Sequence, residues 1–210
     1  MSRETQTTTT WTEKEKQVRA RLRWIIASIL AASLSFTLIF VKQNIVPDET
    51  GVLLLFSLPI VFGLHVTEEF IFPGGFISWD NVFRPQFTDT PGSFYVKVNA
   101  FPALAALLVV LGAFDYRGHY SHLGIRGWFT FVTFAACNTL FHVRGAIHTR
   151  RYSPGMVTAL CLYLPLTILS YVHFLKSGTM DLASTILCIG VALAIQPILD
   201  LIKNRTMKHA

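Results

Sequence analysis

Apolar stretches of about twenty residues, separated by short polar links, set the plan of this chain. They fall at residues 22–41, 51–72, 95–114, 125–146, 155–174 and 182–202. A helix rises about 1.5 Å per residue, so each stretch can cross a hydrocarbon core roughly 30 Å thick. The pattern predicts an all-α fold, a polytopic membrane helical bundle of six transmembrane helices. A polar tail at residues 1–21, with a threonine run from Thr7 to Thr10, precedes the bundle, and a basic tail at 203–210 follows it. The polar start does not lead directly from a short basic region to a small-residue cleavage site, and the apolar segment behind it is of spanning length. The first span is therefore expected to act as a retained signal anchor.

One link differs from the others. Between Phe76 and Phe94 the chain carries Trp79, Phe83, Arg84, Pro85 and Phe87 among Asp80, Asn81 and Asp89. That mixture is too polar to span and too aromatic for a solvated loop, which predicts a segment lying at the membrane interface. Pro154 sits where a helix tolerates proline best, in the first turn of the fifth span.

Composition agrees with the pattern. The 210 residues are 52% hydrophobic and 14% charged, with a mean hydropathy of +0.48, which excludes an ordinary soluble domain. The net charge of +6 does not point to nucleic acid, because the basic residues sit at segment ends and form no continuous stripe. Of the 18 Lys and Arg, all but Lys42, Arg117, Arg126 and Lys176 fall on one side of a six-span topology. The positive-inside rule then places the N- and C-termini in the cytoplasm. Cys137, Cys161 and Cys188 have no CxxC spacing and are expected to be small buried thiols.

Against this apolar background the sequence His65-Val66-Thr67-Glu68-Glu69 stands out. An ionised side chain at mid-membrane costs from ~3 kcal/mol upward, so two adjacent carboxylates and an imidazole inside a span argue for function. On a helix, His65 lies almost above Glu69, and Glu68 flanks it, so all three can face one pocket. The fourth span carries Asn138 and His142, again four apart, and the six-span topology brings them to the same depth. Asn99 near the start of the third span and Gln196 with Asp200 near the end of the sixth reach that depth too. Polar residues from four spans thus converge in the inner leaflet. His119, His122 and His173 lie on the opposite side.

Two histidines with a carboxylate are the donor types that zinc or non-haem iron takes. His65, His142, Glu69 and Glu68 are the candidate ligands of a divalent metal. A carboxylate left unligated would act as general acid or base, or the pair would hold two metals with waters, and Glu68, Glu69, Asn138 and His142 are the catalytic candidates. Without a metal, adjacent carboxylates in low dielectric repel, so one should stay protonated or be balanced by a protonated histidine. Asn138 could equally serve as hydrogen-bonding glue between helices. His148, beside Arg144, Arg150 and Arg151, reads as a secondary candidate or as a contact to lipid headgroups. Asn99 and Tyr152 are further secondary candidates. Asp200 is expected just outside the hydrocarbon, neutralised by Lys203.

The motif His65-x-x-Glu68-Glu69, followed by Asn138-x-x-x-His142 and then Tyr152-Ser153-Pro154-Gly155, resembles the HXXEE family of integral membrane proteins over roughly residues 53–201. The resemblance implies a membrane protein with an enzymatic role of unassigned reaction, its marks being the motif and a further His and Asn in membrane spans. A second resemblance is to the glutamate-type intramembrane proteases related to the CAAX-processing enzyme. That pattern has an Arg where this chain has Pro73 and a Phe where it has Asn138, and both departures count against a protease mechanism.

The expectation is a membrane enzyme whose His/Glu/Asn site near the cytoplasmic face holds zinc or iron. Its partners would be membrane lipids and an apolar, lipid-like substrate entering from the inner leaflet past the Phe76 to Phe94 link, with no nucleic acid. A metal-free acid–base enzyme or protease is the alternative. A scaffold or proton-coupled transporter is a further alternative, and the apolar outer halves of the spans lower it. The expected location is the endoplasmic reticulum in a eukaryote and the plasma membrane in a bacterium.

Overall fold

The computed structural model describes residues 11–42, 48–114 and 119–208. The threonine run, Arg117 and His209 lie outside them. Among the described residues there is no strand, only an isolated bridge between Phe114 and Tyr120.

Helix α1 (Glu13–Lys42) begins well before the apolar stretch at residue 22. The cause is a capping box: the Glu15 N–H donates to Thr12 Oγ1 (3.2 Å), and the Thr12 N–H donates to Glu15 Oε2 (3.0 Å). Helix α2 (Glu49–Phe70) starts at Asp48, whose Oδ1 accepts the Gly51 N–H at 2.9 Å. It ends before Pro73-Gly74-Gly75, where both glycines take positive φ. A short helix α3 (Phe76–Phe83) and a 3-10 turn (Pro85–Phe87) lead to α4 (Gly92–Leu111). Then come α5 (His122–Thr149), capped by Ser121, and α6 (Met156–Thr158), which continues through a π-helical turn (Ala159–Tyr163) into α7 (Leu164–Lys176). Pro154 therefore precedes this helix and does not open it. Helix α8 (Leu182–Lys208) closes the fold.

Five of these elements are long and apolar enough to cross a membrane: α1, α2, α4, the continuous run Met156–Lys176, and α8. Large apolar side chains such as Leu38, Leu53, Leu108 and Leu182 stand exposed on their outer faces. A water-soluble chain would bury such a surface, and the fold is that of a multi-pass membrane protein. The sixth expected span falls on α5. Its 28 residues extend roughly 42 Å, but Arg126, Asn138, His142 and Arg144 make it less apolar than the other five.

Helix α1 packs on α2 and α4, while α5 packs on α8, α4 and the α6–α7 run. One core joins Leu55, Phe56, Trp128, Phe129 and Phe174, with the Trp128 Nε1–H donating to the Leu55 carbonyl at 3.1 Å. A second core, around Leu22, Val66, Phe70, Trp79 and Tyr95, seats α3 across one end of the bundle. Trp79 lies flat on α5 because Gly145 has no side chain there, and a Cβ would overlap the indole. The start of α1 and the end of α8 meet at this same end. The Lys14 ammonium donates to the Thr90 carbonyl (2.8 Å), and the Lys203 ammonium donates to Asp80 Oδ2 (2.9 Å). Lys203 thus pairs with Asp80. Asp200, expected to be its partner, instead accepts from Arg84 Nη1 at 3.0 Å. Of the cysteines, only Cys188 is buried; Cys161 is exposed because Ala159 and Tyr163 take the inward face of the π-helical turn.

At the opposite end, Asp48 Oδ2 accepts from the Tyr120 hydroxyl (2.8 Å) and His173 Nε2 (2.7 Å). Burial alone would raise the Asp48 pKa, but the bonds from Gly51, His173 and Tyr120 outweigh it and hold the carboxyl below its usual value. A depressed carboxylate contributes stability above its unfolded pKa of about 4 and loses it as pH falls through the folded value. The melting temperature of the detergent-purified protein should therefore exceed that of Asp48→Asn at pH 6, and the gap should close as pH drops below about 4. An unchanged gap at pH 3 would contradict this capping role.

Candidate functional site

The last two turns of α2 and the middle of α5 build the site. His65 and Glu69, one turn apart on α2, and Asn138 and His142, one turn apart on α5, face each other across the helix interface. Glu69 Oε1 lies 3.5 Å from His65 Nε2 and 3.4 Å from His142 Nε2. The Asn138 amide nitrogen donates to both imidazoles, at 3.0 Å to His65 Nε2 and 3.3 Å to His142 Nε2. His65, Glu69 and His142 are buried and offer ligand atoms that all lie within 4.8 Å of one another.

The outer nitrogens of both rings are tied down. His65 Nδ1 pairs with Thr158 Oγ1 at 2.9 Å, and His142 Nδ1 pairs with Ser153 Oγ at 2.8 Å. If each Nδ1 carries the proton, each Nε2 turns its lone pair to the centre. Trp79 stacks on the His142 ring at 6.1 Å, and Tyr163, carried inward by the π-helical turn, lies 4.7 Å from His65. Gly155 closes the floor. It has φ +98°, and a Cβ there would sit 2.7 Å from His142 Cε1 and 2.8 Å from both Glu69 Cγ and His65 Cε1.

The adjacent glutamates part company. Glu68 does not join the histidines: its carboxylate accepts the Tyr152 hydroxyl and the N–H groups of Val157 (3.0 Å) and Thr158 (2.7 Å). Successive helix positions are about 100° apart, so a pocket centred on Glu69 turns Glu68 toward the start of α6, whose free N–H groups attract a carboxylate. Glu68, expected among the metal candidates, lies outside the group formed by His65, Glu69 and His142. Burial and the bond to Glu68 push the Tyr152 hydroxyl well above its usual pKa, so it stays a donor. Removing the acceptor strands two backbone N–H groups. Glu68→Ala should therefore destabilise the fold by about 1–3 kcal/mol, seen as a lowered melting temperature in detergent. Of the secondary candidates, Asn99 donates to the Tyr95 carbonyl of its own helix (2.8 Å), and His148 is exposed beside Phe83. Ser153, Gly155 and Thr158 were not singled out for roles from sequence, although Ser153 and Gly155 stand in the Tyr152-Ser153-Pro154-Gly155 motif.

A cavity of roughly 210 Å³, open on one side, runs from His65, Glu69 and Asn138 between α2, α4, α5 and α8. Aromatic side chains form much of its wall, among them Phe62, Phe76, Phe94, Phe131 and Phe134, and Arg84, Asp200 and Lys203 form its far end.

No curated protein and no solved structure matches the chain. The family model described as "Protein of unknown function with HXXEE motif" matches residues 56–170, more than half of the chain, from within α2 to within α7, and includes His65, Glu69, Asn138, His142 and Ser153. The chain therefore belongs to the HXXEE family, and the His, the second Glu and the later Asn and His are the residues that meet at its centre.

Proposed function

We propose that this protein is a membrane-embedded enzyme that holds one divalent metal ion, zinc or iron, on His65, Glu69 and His142. It acts on a lipid-like or apolar small molecule that reaches the site through the aromatic cavity. The spacing of the donor atoms carries this reading. With bonds of about 2.0–2.1 Å, two ligands of a tetrahedral ion stand about 3.3 Å apart. Glu69 Oε1 lies 3.5 Å and 3.4 Å from the two Nε2 atoms. The hydroxyls of Thr158 and Ser153 at the outer nitrogens are the orienting partners that ligating histidines take. A half-turn of the Asn138 amide brings its carbonyl oxygen to the place of its nitrogen, as a further donor.

A bound ion of this kind supplies Lewis acidity and a water acidified toward neutral pH. The chain's own groups do the rest: Glu69 balances the ion's charge, Thr158 and Ser153 hold the rings, and Tyr163 and Trp79 shut water out beside them. Zinc would favour hydrolysis and iron oxidation, so the identity of the ion also separates the reaction classes.

In this reading α5 is the sixth crossing and the site lies near the cytoplasmic face, with both termini on that side. The distribution of Lys and Arg supports it, and so does the meeting of α1, α3 and α8 at the site's end of the bundle. The protein would reside in the endoplasmic reticulum of a eukaryote or the plasma membrane of a bacterium.

A metal-free acid–base enzyme using Glu69 and His142 is the second reading. It is favoured by the Asn138 bonds to both imidazoles, which satisfy the cluster without an ion. Lipid extracts from cells producing the wild type, Glu69→Gln and His142→Ala test both. One apolar product made by the wild type and lost in both variants is expected; identical profiles in all three would contradict an enzyme at this site. Loss of the product on chelation supports the metal, and survival supports the second reading.

A further inference from the structure

The far end of the cavity carries a charge arrangement that the metal cluster does not use. Arg84 donates through Nε to Asp80 Oδ1 (2.7 Å) and through Nη1 to Asp200 Oδ1 (3.0 Å). Lys203 donates to Asp80 Oδ2 (2.9 Å) and to the Tyr95 hydroxyl (3.4 Å). The two acids are not equivalent. Asp80 is fully buried and takes bonds from both cations, whereas the Asp200 side chain is 40% exposed and is held by Arg84 and by Gln196 on its own helix. Arg84 itself is stacked over Phe141, 4.8 Å from the ring centroid, which fixes its guanidinium at the cavity wall. A guanidinium has five N–H donors in a fork suited to two oxygens of one oxyanion. Asp80 anchors one edge of Arg84, and Asp200 occupies another from a side chain that solvent reaches, with one bond from the guanidinium, so a competing oxyanion can displace it.

We propose that Arg84 is a specificity-determining residue that binds the oxyanion headgroup of an amphiphilic substrate, with Asp200 holding that place until the headgroup displaces it. The apolar chain then lies along the aromatic wall, which leads from Arg84 to His65 and Glu69. A carboxylate and a phosphate monoester share this chemistry. The inference rests on the proposed enzyme reading only in using the same cavity, so it is tested by binding, without turnover or metal.

The experiment measures equilibrium binding of oleate, dodecyl phosphate and dodecanol to the full chain in phosphatidylcholine nanodiscs containing chelator. At least one of the two anions is expected to bind tenfold or more tightly than dodecanol, and the tighter anion identifies the headgroup. Arg84→Gln should abolish the preference, and Arg84→Lys should keep part of it. Asp200→Asn, on an exposed side chain, should tighten anion binding at least threefold by releasing Arg84. Equal binding of dodecanol and both anions, or an Asp200→Asn variant that binds the anions no more tightly than wild type, would overturn the proposal even if Arg84→Gln fails to fold. Because chelator is present throughout, the outcome does not depend on whether His65, Glu69 and His142 hold a metal, which separates this proposal from failure of the metal reading.

Discussion

Gly155→Ala is expected to weaken metal binding and activity sharply while leaving the helical content unchanged. The added methyl has nowhere to go. It would stand 2.7 Å from His142 and 2.8 Å from Glu69 and His65, three groups already locked by hydrogen bonds and burial. The backbone adds to the cost, because φ of +98° is a conformation that only glycine adopts freely. Strain of about 1–3 kcal/mol from the backbone and a similar amount from overpacking must be relieved by moving the histidines or Gly155 itself. Since each 1.4 kcal/mol is a factor of ten, metal affinity should fall by about thirtyfold or more. Metal titration with circular dichroism on the same preparation checks this. Wild-type affinity in Gly155→Ala would mean that the turn does not press on the site.

The second large effect separates two neighbouring glutamates. Glu69→Gln keeps the shape of the side chain but removes the negative charge between His65 and His142, and metal affinity should fall by two to three orders of magnitude. Glu68→Gln alters a carboxylate bonded to Tyr152, Val157 and Thr158, and its affinity should stay within a few-fold of wild type, although its melting temperature falls. Parallel titrations of zinc and ferrous iron into the two variants give the comparison. Equal losses would mean that both carboxylates reach the ion.

The pairings within helices were readable from spacing alone. His65 with Glu69, and Asn138 with His142, are each separated by one turn, and apolar surroundings made them conspicuous. The assignment of Glu68 was not readable, because positions three and four beyond His65 straddle its face and only the approach of α6 decides between them. Asp80 and Lys203 are 123 residues apart and meet where the end of α8 comes against the 3-10 turn that follows α3, which no local pattern encodes. Likewise Ser153 and Thr158 look like ordinary turn and helix residues until His142 and His65 are seen beside them. The length of α1 was hidden by its polar start, although Thr12-x-x-Glu15 is a capping signature that composition alone passes over. Hydropathy led to six expected spans, of which five are long and apolar enough to cross a membrane; α5 falls short of them because it carries half of the site.

X-ray absorption at the zinc or iron edge, on the purified wild-type chain loaded with one equivalent of the ion, tests the central claim most directly. Two imidazole nitrogens and oxygen donors at about 2.0–2.1 Å, with no sulfur, are expected. An ion surrounded only by water-like oxygens, ligation by a cysteine, or a chain that retains no ion at all would contradict it.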